Sequence, residues 1–309
     1  MKKIMMITLL VCFCTGCATT QADQDQERAA LTITDFAGRE VSFSEVPDSV
    51  ASVSYGDLDI ASSLGATIVG RPTAEDVTQS DWKSIPEVGT VHEMNHEMLA
   101  SVKSDVVLAN ADFNQKDEQM LESLGTEVVY TNADSVEDIK KQITLLGEML
   151  DRTEQAEELE AKIDEKLAEL NTDKYKDKKA VIVYGTPGTY MVALPNSLSG
   201  DILAKAGGYN IAADFPALEE FPQYAQLNAE EIVNADPDIV MLITHGKSEE
   251  VQQGFEREME RNAAWSSISA VKEGNVFVLP NDLFGTNPGT RITDSIDLMQ
   301  DYLEGEKQD

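Results

Sequence analysis

The sequence predicts an α/β protein of two lobes, each around a central sheet, joined by a long helical segment. Three observations carry this expectation. Short apolar, β-branched runs alternate with short helical patterns in both halves of the chain. Between the halves, from Ser135 to about Leu170, apolar residues recur at spacings of three and four on either side of a polar stretch, as on a helix. The run from Asn95 to Leu108 is echoed without a gap by the run from Asn228 to Met241.

Residues 1–16 read as a signal peptide. Lys2 and Lys3 precede an apolar run, Ile4 to Phe13, too short to span a bilayer as a mature helix, and small residues stand before a cut site. Thr15-Gly16 ahead of Cys17 resembles a bacterial lipobox, with Cys14 where leucine is usual. The resemblance implies that Cys17 becomes the first mature residue and is lipidated; plain secretion with Cys17 idle or discarded is the alternative. Residues 17–30 lack aromatics and large aliphatics, as a flexible, lipid-anchored tether does. The expected location is the extracytoplasmic face of the cell membrane, held by the lipid anchor alone.

The N-terminal α/β lobe is expected over residues 31–134. Leu31 to Val41 alternates and turns at Gly38 like a small hairpin. Val50–Val53, Thr67–Gly70, Asp105–Ala109 and Glu127–Tyr130 read as strands, with helices at Leu58–Leu64, Met98–Lys103 and Glu118–Leu124. The bridging helix, residues 135–171, is capped by Ser135 with Asp138 three residues on. As one helix it would be some 50 Å long at 1.5 Å per residue, and two abutting helices fit the same pattern. The C-terminal α/β lobe, residues 172–309, restarts with strands at Lys178–Tyr184 and Tyr190–Leu194. A helix from Asp201 stops at Gly207-Gly208, strands follow at Asp238–Thr244 and Asn275–Leu279, and Thr293–Leu303 is a closing helix.

Composition removes several functions. The net charge of −32 excludes nucleic acid, whose phosphates need a basic face. All three cysteines lie in the leader, so the folded body has no disulfide framework. After the leader no apolar run is long enough to span a bilayer. Arginine is scarce, which makes a cluster for a highly charged anion hard to assemble. There is no P-loop, GxSxG, HExxH or cysteine nucleophile, and Gly185-Thr186-Pro187-Gly188 lacks the P-loop lysine and reads as a turn, so the expectation is a binding protein rather than an enzyme. A surface adhesin would not need two echoing lobes.

In the echo, Asn95 and Asn228 read as helix N-caps, with Glu97 and Glu230 in the first turn, where the helix dipole favours them. Two α/β lobes joined by one long helix behind a lipobox resemble the class III (cluster A) substrate-binding lipoproteins of ABC importers. The resemblance runs from Leu31 onward and includes Val88-Gly89, Ser199-Gly200-Asp201 through Asn210, and Asn275 to Leu279. It implies two Rossmann-like lobes joined by a single long helix, a monomer, and an ABC permease with its ATPase as partners. It also assigns Glu97 and Glu230 to docking on that permease.

Such proteins carry siderophores, cobalamin, heme or bare metal ions. The three histidines are His92, His96 and His245. His245 follows a strand at its carboxyl end, where ligands meet α/β sheets, and Met94 sits at the equivalent mouth of the first lobe. A loop methionine is ordinarily packing filler and a histidine after a strand is ordinarily a surface or capping residue. Met94 and His245, however, match the axial methionine and histidine of the heme-uptake lipoproteins of Gram-positive iron-regulated surface systems, including Val88-Gly89 and Thr244-His245-Gly246 around them. The resemblance therefore implies heme as the transported ligand, and cell-wall heme-relay proteins as further partners. His92 is the rival first-lobe ligand; His96 falls inside the helix start. Tyr55, Asn110, Tyr190, Asn196, Ser197 and Phe284 are further mouth positions for contacts to the ligand. A ferric siderophore or cobalamin is the alternative cargo, and bare zinc or manganese would want more histidine, aspartate or glutamate ligands than one loop and one strand end supply.

Overall fold

A computed structural model describes residues 31–73, 80–123, 125–245 and 247–305. The expected signal peptide, Cys17, the expected tether and the last four residues lie outside the described residues, and no described helix is long and apolar enough to cross a membrane. The body opens with the expected hairpin, β1 (Leu31–Thr34) antiparallel to β2 (Glu40–Phe43), turning through Gly38 at φ 77. Ile33, Val41 and Phe43 point inward while alternate residues face water. The buried Asp35 carboxylate pins the hairpin, accepting from Arg39 Nη2 at 2.9 Å and from the Tyr130 N–H at 3.2 Å.

The first lobe continues through β3 (Ser49–Ser52), α1 (Tyr55–Ser63), β4 (Thr67–Gly70), α2 (His96–Val102), β5 (Val106–Asn110), α3 (Ala111–Asn114), α4 (Glu118–Glu122) and β6 (Glu127–Thr131). Its sheet is parallel, in the order β4-β3-β5-β6. Val106 to Ala109 of central β5 are all buried, the unbroken apolar run of a strand covered on both faces.

The junction between lobes differs from the single long helix. It is α5 (Val136–Met149) and α6 (Thr153–Glu169), folded back on each other. Lys140 reaches Asp164 at 2.6 Å and Thr144 reaches Glu160 at 2.6 Å, the descending pairing of antiparallel helices. Asp151 makes the reversal at φ 54, a left-handed conformation that aspartate adopts more readily than most residues. The Arg152 N–H then closes on the Gly147 carbonyl at 2.7 Å. Gly147 permits the close approach, since a Cβ there would stand 2.4 Å from Ala156 Cβ. Ser135 caps α5 as expected, its Oγ accepting from the Asp138 N–H at 3.1 Å.

The second lobe comprises β7 (Lys179–Thr186), β8 (Thr189–Ala193), α7 (Leu198–Ala206), β9 (Tyr209–Asn210), β10 (Tyr224–Gln226), α8 (Ala229–Ala235), β11 (Ile239–Thr244), α9 (Ser248–Arg261), α10 (Ser269–Glu273), β12 (Val276–Leu279), α11 (Asn281–Phe284) and α12 (Ile292–Glu304). Its sheet is mixed, in the order β10-β8-β7-β11-β12 with β9 beside the start of β7. Pro187-Gly188 forms a tight turn that returns β8 antiparallel to β7. Sequence periodicity did not disclose α9, because only Val251 and Phe255 of this glutamate-rich helix are buried.

The echo is structural. Asn95 Oδ1 accepts from the Met98 N–H and Asn228 Oδ1 from the Glu230 N–H, each at 3.0 Å. Both short helices end on a left-handed residue, Lys103 and Asp236. Asp105 and Asp238 then each accept from the first N–H of the neighbouring strand, Ser49 at 2.8 Å and Lys179 at 2.9 Å.

The lobes are packed together as well as joined. One apolar cluster contains Leu58 and Val106 of the first lobe, Ile139 and Ile143 of α5, and Ile182 and Ile296 of the second. A buried polar chain crosses the same seam. Asp57 accepts from Ser52 Oγ at 2.9 Å, from Thr131 Oγ1 at 3.1 Å and from Gln142 Nε2, and Gln142 Oε1 accepts from Asn287 Nδ2 at 2.8 Å. Beside it Asp59 accepts from the Thr290 N–H at 2.7 Å and Oγ1 at 2.6 Å.

Candidate functional site

The carboxyl ends of β5 and β11 come from related units, and the chain segments around them face each other. On the first-lobe side, Val88 to Asn95 forms a tight hairpin. Gly89 bridges Met94, the Asn95 N–H donates to the Val88 carbonyl at 2.8 Å, and the Thr90 N–H to the Glu93 carbonyl at 2.9 Å. Gly89 sits at φ 100, where a Cβ would meet the Glu93 carbonyl oxygen at 2.3 Å, so only glycine closes this turn. Asn114 Nδ2 holds the hairpin from behind, donating to the Val91 carbonyl at 2.8 Å. His92 is exposed at the tip; Met94 is half-buried and packs on the first-lobe cluster that includes Val88 and Leu99.

On the second-lobe side, His245 leaves the end of β11, its N–H donating to the Gly185 carbonyl at 2.8 Å. Its ring lies 5.6 Å from that of His92 and 5.8 Å from that of Tyr184. Tyr184 in turn stands 5.1 Å from Tyr224, and His92 meets Phe113 edge-on at 5.0 Å. A row of aromatic rings, Phe113–His92–His245–Tyr184–Tyr224, thus crosses from one lobe to the other. Gln223 Nε2 donates to Asp134 Oδ2 across the lobes at 3.2 Å, next to Tyr224.

Electrostatics suits this row to an electron-pair donor. Burial, and secondarily His92, lowers the pKa of His245, so its imidazole is neutral with a free lone pair at neutral pH. Burial raises the phenol of Tyr184 well above its ordinary value and pushes Tyr224 up to about 12, so both remain protonated and present ring surface rather than phenolate. Among the described residues no three His, Cys, Asp or Glu side chains converge as a cage for a bare metal ion. Arg71 is buried and engaged by Glu87 at 2.8 Å.

The structure brings His92 and His245 together, and Met94 stands on the same hairpin as His92. The other expected mouth residues each have a local partner. The Tyr55 hydroxyl donates to the Pro72 carbonyl at 3.1 Å, and that of Tyr190 to Val251 at 2.9 Å. Asn196 Nδ2 donates to the Pro222 carbonyl at 3.1 Å, Ser197 caps α7 through the Gly200 N–H at 3.1 Å, and Phe284 is buried in the core. Asn110 caps α3, accepting from the Phe113 N–H at 3.1 Å, and so sets where that ring stands. Glu97 and Glu230 are exposed in the first turns of α2 and α8. Phe113, Tyr184 and Tyr224 were missed from sequence. Tyr184 carried a signal, since it lies at the carboxyl end of a strand adjoining β11.

The chain belongs to the family of periplasmic binding proteins, whose pattern matches residues 50–283. Its architecture is of the class III type, the substrate-binding proteins that serve ABC importers with a permease and an ATPase. The high-affinity heme uptake system protein IsdE of Staphylococcus aureus (strain MRSA252) is 28% identical over 311 residues, covering 99% of each chain. The crystal structure of S. aureus IsdE complexed with heme superposes with a TM-score of 0.73 at 28% identity, covering 83% of this chain and 98% of that one. An ABC transporter substrate-binding protein from Listeria monocytogenes EGD-e gives 0.71 at 25%, covering 85% and 100%. S. aureus SirA complexed with staphyloferrin B shares the fold, with a TM-score of 0.71 at 23% identity over 88% and 97%.

Proposed function

We propose that this protein captures heme at the cell surface and hands it to the membrane permease of its ABC importer for iron acquisition. The observation that carries the reading is a neutral, half-buried His245 that stands in an aromatic row directly against a first-lobe hairpin bearing both His92 and Met94. The donor set fits heme. Imidazole and thioether, or two imidazoles, are ordinary axial ligands of heme iron, and flat aromatic side chains suit the porphyrin faces. In this reading His245 and Met94 hold the iron, with His92 as the rival to Met94. The full-length similarity to IsdE supports the same cargo. Catalysis has no part in it; the protein binds and releases.

The remaining parts of the reading follow the same line. Removal of residues 1–16 leaves Cys17 lipidated, so residues 17–30 tether a monomeric body to the extracytoplasmic face of the membrane. Residues 31–134 and 172–309 act as the two ligand-bearing lobes, with 135–171 between them. Glu97 and Glu230 dock on the permease, and cell-wall relay proteins supply the heme. A ferric siderophore is the second reading, favoured only by the fold it shares with SirA. Titrating the soluble body, residues 31–309, with hemin separates the two. One equivalent should give a sharp six-coordinate visible spectrum. A body that stays colourless with hemin yet takes up a ferric siderophore would sink the heme assignment and leave the receptor class standing.

A further inference from the structure

His92 and His245 come from opposite lobes yet touch. Their centroids are 5.6 Å apart and their planes meet at 85°. That is direct edge-to-face contact, inside the roughly 4.5–7 Å range of aromatic pairs, so no planar group fits between them. Behind His92 stands Phe113 at 5.0 Å, and behind His245 stands Tyr184, tilted by 30°. The hairpin carrying His92 is fixed at its base by the Asn95–Val88 hydrogen bond and along one arm by Asn114 on Val91, while the His92 ring itself is exposed at the tip. The tip is thus the part free to give way.

We propose that His92 and the ligand compete for one face of His245: His92 stands against that ring, and capture is a displacement in which the ligand takes the face that His92 covered. This rests on the reading of the cleft as the substrate site. Displacement makes His92 a determinant of specificity. An incoming ligand must take over the ring surface that Phe113 and His245 lose with His92, and must also offer an acceptor to the His245 lone pair. A planar macrocycle whose metal has open axial positions replaces both. An iron-free porphyrin replaces only the surface, and an iron already enclosed by chelating oxygens replaces neither.

The test uses the soluble body. In the ligand-free protein with labelled histidines, NMR should show an inter-ring NOE between His92 and His245 that disappears with one equivalent of gallium(III) protoporphyrin IX, a diamagnetic analogue of hemin that does not quench the signal by paramagnetism. In stopped-flow mixing with hemin, His92→Ala should associate on the order of 2- to 10-fold faster, the factor that one edge-to-face contact represents. His92→Phe, which keeps a ring at the tip, should stay near the wild-type rate. Iron-free protoporphyrin IX should bind more weakly than hemin to all three. An absent NOE, an NOE that persists with gallium protoporphyrin bound, or an unchanged His92→Ala rate overturns the displacement. So does a His92→Ala protein that loses the six-coordinate spectrum, which would make His92 an iron ligand instead. An NOE in a protein that hemin never binds would uphold the closed cleft while sinking the heme reading.

Discussion

His245 and Met94 share the iron in the proposed site, but they are not equal donors. Imidazole is the stronger ligand for ferric iron, and burial keeps that of His245 unprotonated. His245→Ala should weaken hemin binding by on the order of 100-fold or more, as expected when an iron ligand is lost outright. Met94→Ala should cost less, because His92 on the same hairpin or a water fills the open position, and titration of the two variants side by side checks the order. Asp57 offers a second test at this scale. It is wholly buried among neutral donors, and desolvation raises its pKa from 3.8 to about 6 against the opposing hydrogen bonds from Ser52, Thr131 and Gln142. A carboxyl that holds its proton more tightly folded than unfolded stabilises the fold most below about pH 4. That contribution is lost as pH rises towards 6, by roughly 3 kcal/mol for this shift. Asp57→Asn, which keeps the shape and can accept from Gln142, should therefore unfold at higher denaturant than wild type at pH 7. The gap should close by pH 4; an equal gap at both values would refute the assignment.

Among the elements, the α5–α6 hairpin is where packing decides most. Gly147 and Ala156 are in van der Waals contact because one of them has no Cβ. In an isolated helix Gly→Ala gains about 1 kcal/mol, whereas overpacking a tight contact costs about 1–3 kcal/mol. Gly147→Ala should therefore lower stability by about 1–2 kcal/mol in urea denaturation, and a stabilised variant would show that the helices do not meet there. The two echoing units behave as modules of the opposite kind. Cap and left-handed stop are local, so the same short sequence builds the same helix in each lobe, and an aspartate then latches each unit to a strand start 56 or 59 residues away.

For the whole molecule, those units place Glu97 and Glu230 on exposed first turns, one per lobe. Glu97→Ala with Glu230→Ala should leave hemin affinity nearly unchanged and abolish uptake in cells. Loss of each charge from its helix start costs only about 0.3–1 kcal/mol of stability. Normal uptake by the double variant would remove the docking assignment. The continuous core and the Asp57–Gln142–Asn287 chain tie the lobes through buried contacts, so a ligand is accommodated more by side chains at the cleft than by wide opening.

Much of this was legible in the chain alone, for a physical reason. Periodicity, caps and strand runs are local properties, so the strands other than the short β9 and β10, most helices, the Asn95 and Asn228 caps and the two-lobed α/β class followed from residues near one another in sequence. His245 at a strand end and Met94 before a cap were visible in the same way. Three things required the folded molecule. The sequence left one helix or two open across the polar stretch after Leu150, and the fold-back at Asp151, with Gly147 against Ala156, is decided only in the folded molecule. The burial of Asp57 was hidden because its partners are spread from Ser52 to Gln142. The aromatic row was hidden because Phe113, His92, His245, Tyr184 and Tyr224 lie far apart in the chain, and their meeting is a product of how two lobes pack rather than of any motif.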